Sequence, residues 1–320
     1  MTAAMQLPAV LVGESTAMRR ALALAERFAP TPTAILLVGP TGAGKELLAR
    51  HIHALSGRRG RFVPVNCAAV PREMAESLLF GHRRGAFSGA VESRRGLVEL
   101  ANQGTLLLDE LLCLPTEQQA KLLRVLDTGE IRPLGEEDER VLDVRFLAAV
   151  QGTVSGALAD GSVRHDLFHR LAGAVISLPP LVARREDVLP LAQHFATLTG
   201  RRLAASAGPV LLGYPWPGNV RELRQVIERA GRLLSDAELS PAALAEAIRV
   251  GAPVLPEGQA NVLVDGDPLA ERWRLVLACE ANRWRGDAVA RALGIHRATL
   301  FRRLKRAGLS LRVRESQSRI

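Results

Sequence analysis

At 320 residues with 48% hydrophobic content, the chain is long enough for two or three domains with sizeable cores. Cys67, Cys113 and Cys279 are widely spaced and form no CxxC pair, which excludes a disulfide framework or a zinc site and fits a reducing compartment. The net charge of +9 is uneven: residues 267–320 hold 13 Lys+Arg against 5 Asp+Glu, so a nearly neutral body carries a basic C-terminal module.

No apolar run approaches the roughly 18–20 residues of a membrane span, and the N-terminus lacks a secretion signal. A soluble cytoplasmic protein without a membrane partner is expected. After an extension over residues 1–12, short β-rich runs alternate with helical patterns through residue 184. Ala17–Phe28 has a helical period, Ile35–Val38 reads as a strand, Glu46–Leu55 as a helix and Phe62–Val65 as a strand. Leu106–Leu108 reads as a strand, Thr116–Leu126 as a helix, and Val144–Ala149 and Val175–Leu178 as strands. Buried strands alternating with helices predict an α/β fold, a parallel sheet covered on both faces. Residues 185–249 read as wholly helical apart from an interruption at Tyr214–Gly218. Gly, Pro and small polar residues make 250–266 a linker. Three helical patterns, 267–281, 286–293 and 297–307, form a small all-α domain over 267–311, followed by a tail at 312–320.

The strongest motif lies between the first strand and the second helix: Gly39, Pro40, Thr41, Gly42, Ala43, Gly44 and Lys45. A phosphate cradle needs glycines so that backbone N–H groups converge on the anion, a helix N-terminus for its dipole, and a lysine to reach the β- and γ-phosphates. All three are present in strand–loop–helix order, which points to ATP. Glu46 follows the lysine where a Ser or Thr usually helps hold Mg²⁺. The metal must then lean on another ligand, and Asp109 ends a buried run with Glu110 next to it. The first carboxylate would hold Mg²⁺ and the second would polarise the attacking water.

Two further segments carry candidate partners. Gly85, Ala86, Phe87, Ser88, Gly89 and Ala90 form a segment with glycine near both ends and one large apolar side chain. That pattern is either a mobile tip presenting Phe87 or a plain turn with Phe87 in the core. Near the C-terminus, Gly294 supplies a left-handed turn between two helices, and Ile295, Leu300 and Leu304 make a buried stripe. Arg297, Thr299, Arg302, Arg303, Lys305 and Arg306 are left for double-stranded DNA, as base or phosphate contacts. A protein-binding three-helix module is the alternative.

Together these motifs resemble the sigma-54-dependent transcriptional activators, a branch of the AAA+ ATPases. The resemblance runs from about Gly13 to Leu309 through GPTGAGKE (39–46), NCAAV (66–70), FGHRRGAFSGA (80–90), GTLLLDE (104–110), QAKLLRVL (119–126), RHDLFHRL (164–171), LPPL (178–181) and WPGNVREL (216–223). Glu46 is usual in that family. The resemblance implies an AAA+ sheet domain over 13–184 with a helical lid over 185–249, and a closing Fis-type helix-turn-helix. It implies that Lys45 holds ATP phosphates, Asp109 magnesium and Glu110 the attacking water, with Asn66 restraining Glu110. Arg164 and Arg170 would act as fingers in trans, Arg221 as the second sensor, and residues 85–90 as the loop that grips sigma-54 RNA polymerase. Fingers in trans imply a ring, a hexamer or related oligomer, that binds an upstream DNA site. The short N-terminal extension leads one to expect no built-in regulatory domain and control by a partner protein in trans, by expression level or by an upstream gene product.

Ser88 replaces the family's Thr, Val150-Gln151 its Thr-Asn first sensor, Leu78 an acidic residue and Val182 an arginine; Trp284-Arg285 stands for Gly-Asn and Val289 for Ala. These departures leave open a DNA-binding regulator, repressor-like, that does not act on sigma-54. A different AAA+ machine, chelatase-like or replication-linked, is disfavoured by GAFSGA together with the C-terminal module.

Overall fold

The computed structural model describes residues 11–152, 154–233, 237–251, 275, 278–279, 282 and 284–309. The extension up to residue 10, residues 252–266 of the expected 250–266 linker, most of the helical pattern at 267–281 and the tail lie outside the described residues, while residues 250–251 close the helix Pro241–Gly251. The chain divides into two compact units, Met1–Pro180 and Leu181–Ile320.

The first unit runs α1 (Thr16–Phe28), β1 (Ile35–Val38), α2 (Lys45–Leu55), β2 (Phe62–Asn66), α3 (Arg72–Phe80), β3 (Gly81–His82), β4 (Arg94–Arg95), α4 (Leu97–Leu100), β5 (Thr105–Asp109), α5 (Thr116–Thr128), β6 (Glu130–Ile131), β7 (Arg140–Val141), β8 (Arg145–Val150), α6 (Ser155–Ala159), α7 (His165–Leu171) and β9 (Ala174–Ser177). Five strands form a parallel sheet in the order β2-β5-β8-β1-β9. Successive side chains alternate between its faces. Ile35, Leu37, Leu107, Leu147, Ala149 and Ile176 pack with Ala21, Ala25, Leu48 and Ile52 of α1 and α2. Leu36, Leu106, Leu108, Phe146 and Ala148 pack on the other face with Leu79, Leu122, Val125, Leu167 and Leu171 of α3, α5 and α7. Each fully buried aliphatic side chain contributes about 1.5–3 kcal/mol, so strands flanked on both sides read as unbroken apolar runs.

One polar residue is built into this core. Arg145, 2% exposed at the start of β8, donates from Nη2 to Phe28 O at 2.8 Å and to Thr33 O at 3.4 Å, and from Nη1 to Ala29 O. It ties the end of α1 to the sheet. Burial pushes its guanidinium down to about 10.

The second unit contains α8 (Val188–Leu198), β10 (Arg202–Leu203), α9 (Gly208–Gly213), α10 (Asn219–Leu233), β11 (Glu238–Leu239), α11 (Pro241–Gly251), α12 (Gly286–Ala292) and α13 (Arg297–Arg306). The expectation of a wholly helical 185–249 is corrected: β10 and β11 pair in parallel, Arg202 with Glu238 and Leu203 with Leu239. Two-residue strands carry no period that sequence reading detects. The interruption at 214–218 has a physical cause. Trp216 and Asn219 both adopt left-handed backbone, at φ 53° and φ 54°. Trp216 Nε1 donates to Leu211 O at 2.9 Å, and Glu222 accepts from Gly218 N and the Tyr214 hydroxyl, each at 2.8 Å.

Candidate nucleotide site and its working loop

In a parallel sheet the carboxyl ends of the strands form one edge, where ligands sit. The register aligns Val38 with Val150 and with Ser177, and Asn66 with Asp109. The loop after β1, the carboxylates at the end of β5 and Gln151 after β8 therefore share that edge.

The loop is held on both sides by the sheet. Gly39 N donates to Val150 O at 3.2 Å and Leu178 N to Val38 O at 2.8 Å. A Cβ on Gly39 would stand 2.7 Å from Leu178 O, so the backbone approach there admits only glycine. Gly44 caps α2 at φ 106°, a left-handed conformation that exposes the first amides of the helix. Lys45 is 7% exposed, and its Nζ donates to Gly39 O at 2.8 Å and Pro40 O at 3.3 Å, so the ammonium lies inside the loop. Convergent amides, a helix N-terminus and a buried cation form a cradle that fits a polyphosphate. Glu46 points away into an ion pair with Arg50 at 2.7 Å.

Asp109 closes β5 and accepts from Glu110 N at 3.0 Å. Partial burial pushes its carboxyl above the usual carboxylate range, while the nearby Lys45 ammonium pulls the other way. Glu110 adopts φ 54°, ψ 47°, a left-handed backbone that costs a non-glycine residue about 1–2 kcal/mol and turns the side chain out of the strand's alternation. Its Oε1 accepts a hydrogen bond from Gln151 Nε2. Asn66 Oδ1 instead accepts from Ala68 N at 3.0 Å, capping the turn at Cys67–Ala69. The hydrogen bond on Glu110 thus comes from Gln151, which the sequence marked only as a departure from the family pattern. Glutamine, one methylene longer than asparagine, makes the reach. Among the described residues no cluster of three His, Cys, Asp or Glu side chains surrounds Asp109. Asp109 offers one carboxylate near the Lys45 ammonium, a donor that fits a magnesium ion, which keeps several waters and takes one or two carboxylates together with substrate phosphates.

Arg164 and Arg170 lie on the surface of the same unit. Arg164 forks onto Asp166, with Nε 3.0 Å from Oδ1 and Nη2 2.7 Å from Oδ2, and Arg170 Nε pairs with Asp127 Oδ1 at 2.8 Å. Arg221 is exposed on α10 in the second unit.

The segment at 85–90 tops a short hairpin in which β3 pairs antiparallel with β4. Gly85 N donates to Ala90 O at 2.9 Å and Ala90 N to Phe87 O at 3.0 Å, with Gly85 at φ 83° and Gly89 at φ 104°. Phe87 is 45% exposed and leans edge-on against His82 at 5.0 Å. Phe87 is outside both core clusters of this unit, so the reading of a tip that presents it prevails over a core turn. The stem is braced by the connection between β6 and β7: Arg83 N donates to Leu134 O at 2.9 Å, and Arg83 Nε pairs with Glu136. Sequence reading missed this brace because two-residue strands are too short to show alternation.

At the C-terminal end, Gly294 (φ 63°) turns the chain between α12 and α13, and Val289, Leu300 and Leu304 share a small core with Cys279 and Trp284. Arg297, Arg302, Arg303, Lys305 and Arg306 are exposed and Thr299 is half-buried. Arg297 pairs with Asp287 at 3.0 Å.

This sheet order, with a phosphate cradle after β1 and a carboxylate pair after β5, defines an AAA+ α/β domain, and the second unit carries the helical lid. Residues 11–177 match the sigma-54 interaction domain family, and residues 183–260 the AAA+ ATPase lid domain. The chain belongs to the sigma-54 interaction domain family and is homologous to sigma-54-dependent transcriptional regulators. It is 38% identical over 312 residues to the response regulator protein PilR of Pseudomonas aeruginosa, covering 93% of this chain and 70% of PilR. It is 49% identical over 228 residues to the nitric oxide reductase transcription regulator NorR1 of Cupriavidus necator, covering 69% of this chain and 44% of NorR1. Among solved structures, NtrX from Brucella abortus in complex with ATP matches with a TM-score of 0.70 at 34% identity, covering 94% of this chain and 70% of that one. The chain spans about half the length of many of its relatives. Among the described residues no helix is long and apolar enough to cross a membrane.

Proposed function

We propose that this protein hydrolyses ATP as a ring-shaped oligomer, binds upstream DNA through α13 and uses the 85–90 loop to remodel sigma-54 RNA polymerase. The observation that carries the reading is a single α/β unit holding a phosphate cradle, a paired carboxylate and, on a braced hairpin, an exposed Phe87 between two glycines. Family membership supplies the partner class, and NtrX, which matches over nearly the whole chain, has been solved with ATP.

In this reading Lys45 and the amides of residues 42–46 bind the phosphates and Asp109 holds magnesium. A magnesium ion, when bound, neutralises charge that develops on the phosphates. Glu110 accepts a proton from the attacking water once its hydrogen bond from Gln151 is exchanged for one from that water. Arg164 and Arg170 leave their surface carboxylates to reach a neighbouring subunit's γ-phosphate, a contribution worth about 10³–10⁵ in rate for fingers of this type. Exposed ion pairs hold side chains by at most about 1 kcal/mol, so that exchange is inexpensive. Arg221 serves as the second sensor.

The experiment is open-complex formation at a sigma-54 promoter with wild type, Phe87→Ala and Ser88→Thr. Wild type and Ser88→Thr should open the promoter and Phe87→Ala should not. ATP hydrolysis without promoter opening by any of the three would instead support the repressor-like reading, which Ser88 and the altered residues at 150–151 favour.

A further inference from the structure

The amide of Gln119, at the first turns of α5, is completely buried. Its Nε2 donates to Leu114 O at 2.7 Å and to Ser162 O at 2.8 Å, and its Oε1 accepts from Arg164 N at 3.0 Å. Both donors are therefore in use, together with one acceptor site. Leu114 directly follows the turn at Leu111–Cys113 that begins at Glu110, and Arg164 is the N-cap of α7. One side chain thus joins the segment leaving the carboxylate pair to the residue from which the Arg164 guanidinium extends. The Arg164 side chain does not cap α7: its guanidinium is turned to Asp166, whose Oδ1 also accepts from Leu167 N at 2.7 Å. The N–H of Arg164, ahead of the first turn of α7, is thus held by the Gln119 amide.

We propose that Gln119 is the positioning residue for Arg164, linking the end of β5 to the arginine that acts on the neighbouring subunit. This rests on the proposed function, since it gives Arg164 its role in trans. A buried, fully engaged amide has one geometry, so movement at the strand end passes to the start of α7 instead of being lost in side-chain rotation. An aliphatic replacement leaves two carbonyls and one N–H without partners, and α7 shifts its first turn.

The test is steady-state ATPase and subunit mixing with Gln119→Met, which keeps the volume and removes all three hydrogen bonds. Turnover at saturating ATP should fall about 10²-fold, the effect of a displacement near 1 Å on a positioned group. Affinity for a fluorescent ATP analogue should stay within about twofold, because the cradle is untouched. Mixing Gln119→Met with Glu110→Gln in equal amounts should restore turnover. In a head-to-tail ring about a quarter of the interfaces then pair an intact site with an intact finger. Where thermal melting shows the Met variant unfolded, Gln119→Asn, too short to span all three partners, takes its place. Turnover within about threefold of wild type, or mixtures no more active than the sum of their parents, overturns the assignment. Wild-type ATPase that does not depend on protein concentration overturns the ring and this assignment with it; concentration-dependent wild-type ATPase with no complementation overturns this assignment alone.

Discussion

Replacing Gly39 by alanine should damage nucleotide binding for a steric reason that involves no backbone strain, since Gly39 is absent from the residues with positive φ. The added Cβ would meet Leu178 O at 2.7 Å and Leu178 Cβ at 3.2 Å, where ordinary contact begins at 3.4 Å. Leu178 cannot retreat without loosening its hydrogen bond to Val38 O at 2.8 Å, and Gly39 is held to Val150 O on the other side. The loop must therefore shift by about 0.7 Å or the sheet edge must open, at the roughly 1–3 kcal/mol typical of overpacking. A loop displaced by that distance carries its amides and the Lys45 anchor with it. Affinity for a fluorescent ATP analogue should fall about 10- to 100-fold, equivalent to roughly 1.4–2.8 kcal/mol. Thermal melting without nucleotide should show a loss of a few degrees. Gly44→Ala is the contrasting case, with open space around the new methyl but a φ of 106°, so its cost lies in the backbone alone. An alanine at 39 that binds nucleotide within about twofold of wild type, at unchanged melting temperature, would refute the close-approach reasoning.

Lys45→Ala should abolish nucleotide binding, read by the same titration, because no other cation is buried in the loop among the described residues. Glu110→Gln should bind ATP and fail to turn it over, whereas Gln151→Ala should change turnover with little effect on affinity; equal effects on both would place Gln151 in binding instead. Asp109 links pH to stability. Its carboxyl is raised by burial in the fold, so protonation is favoured by folding: that contribution is full below the ordinary value of 3.8 and is lost as pH rises through the folded value. At neutral pH the ionised group opposes folding, and Asp109→Asn should raise the melting temperature while removing hydrolysis; a lower melting temperature would contradict it. Arg145→Met should destabilise the first unit by about 3 kcal/mol, near 10 °C in melting temperature, by leaving helix-end carbonyls without a charged donor.

Local sequence pattern was enough for the five strands of the central sheet, the glycine-rich loop ending at Lys45, the Asp109–Glu110 pair and the turn at Gly294. Each depends on neighbours within a few residues: strand periodicity, glycine conformation and the chemistry of a helix N-terminus. Strand ends were placed within a residue or two, because a sheet buried on both faces writes itself as an apolar run. The exposure of Phe87 was one of two readings open from the sequence. It was decided by contacts between β3, β4 and the 133–136 turn, with Arg83 and Glu136 53 residues apart, whose pairing leaves no periodic trace. The same holds for the partner of Glu110. Family pattern pointed to Asn66, and only the folded chain brings Gln151, 41 residues away, to the carboxylate while Asn66 caps its own turn. Gln119 reads as one polar residue of an amphipathic helix until the fold closes Leu114, Ser162 and Arg164 around it. The sequence by itself thus determined which chemical groups the chain brings to the sheet edge. Tertiary structure decided which side chains restrain it, because a hydrogen bond between distant residues depends on where the whole core places their backbones.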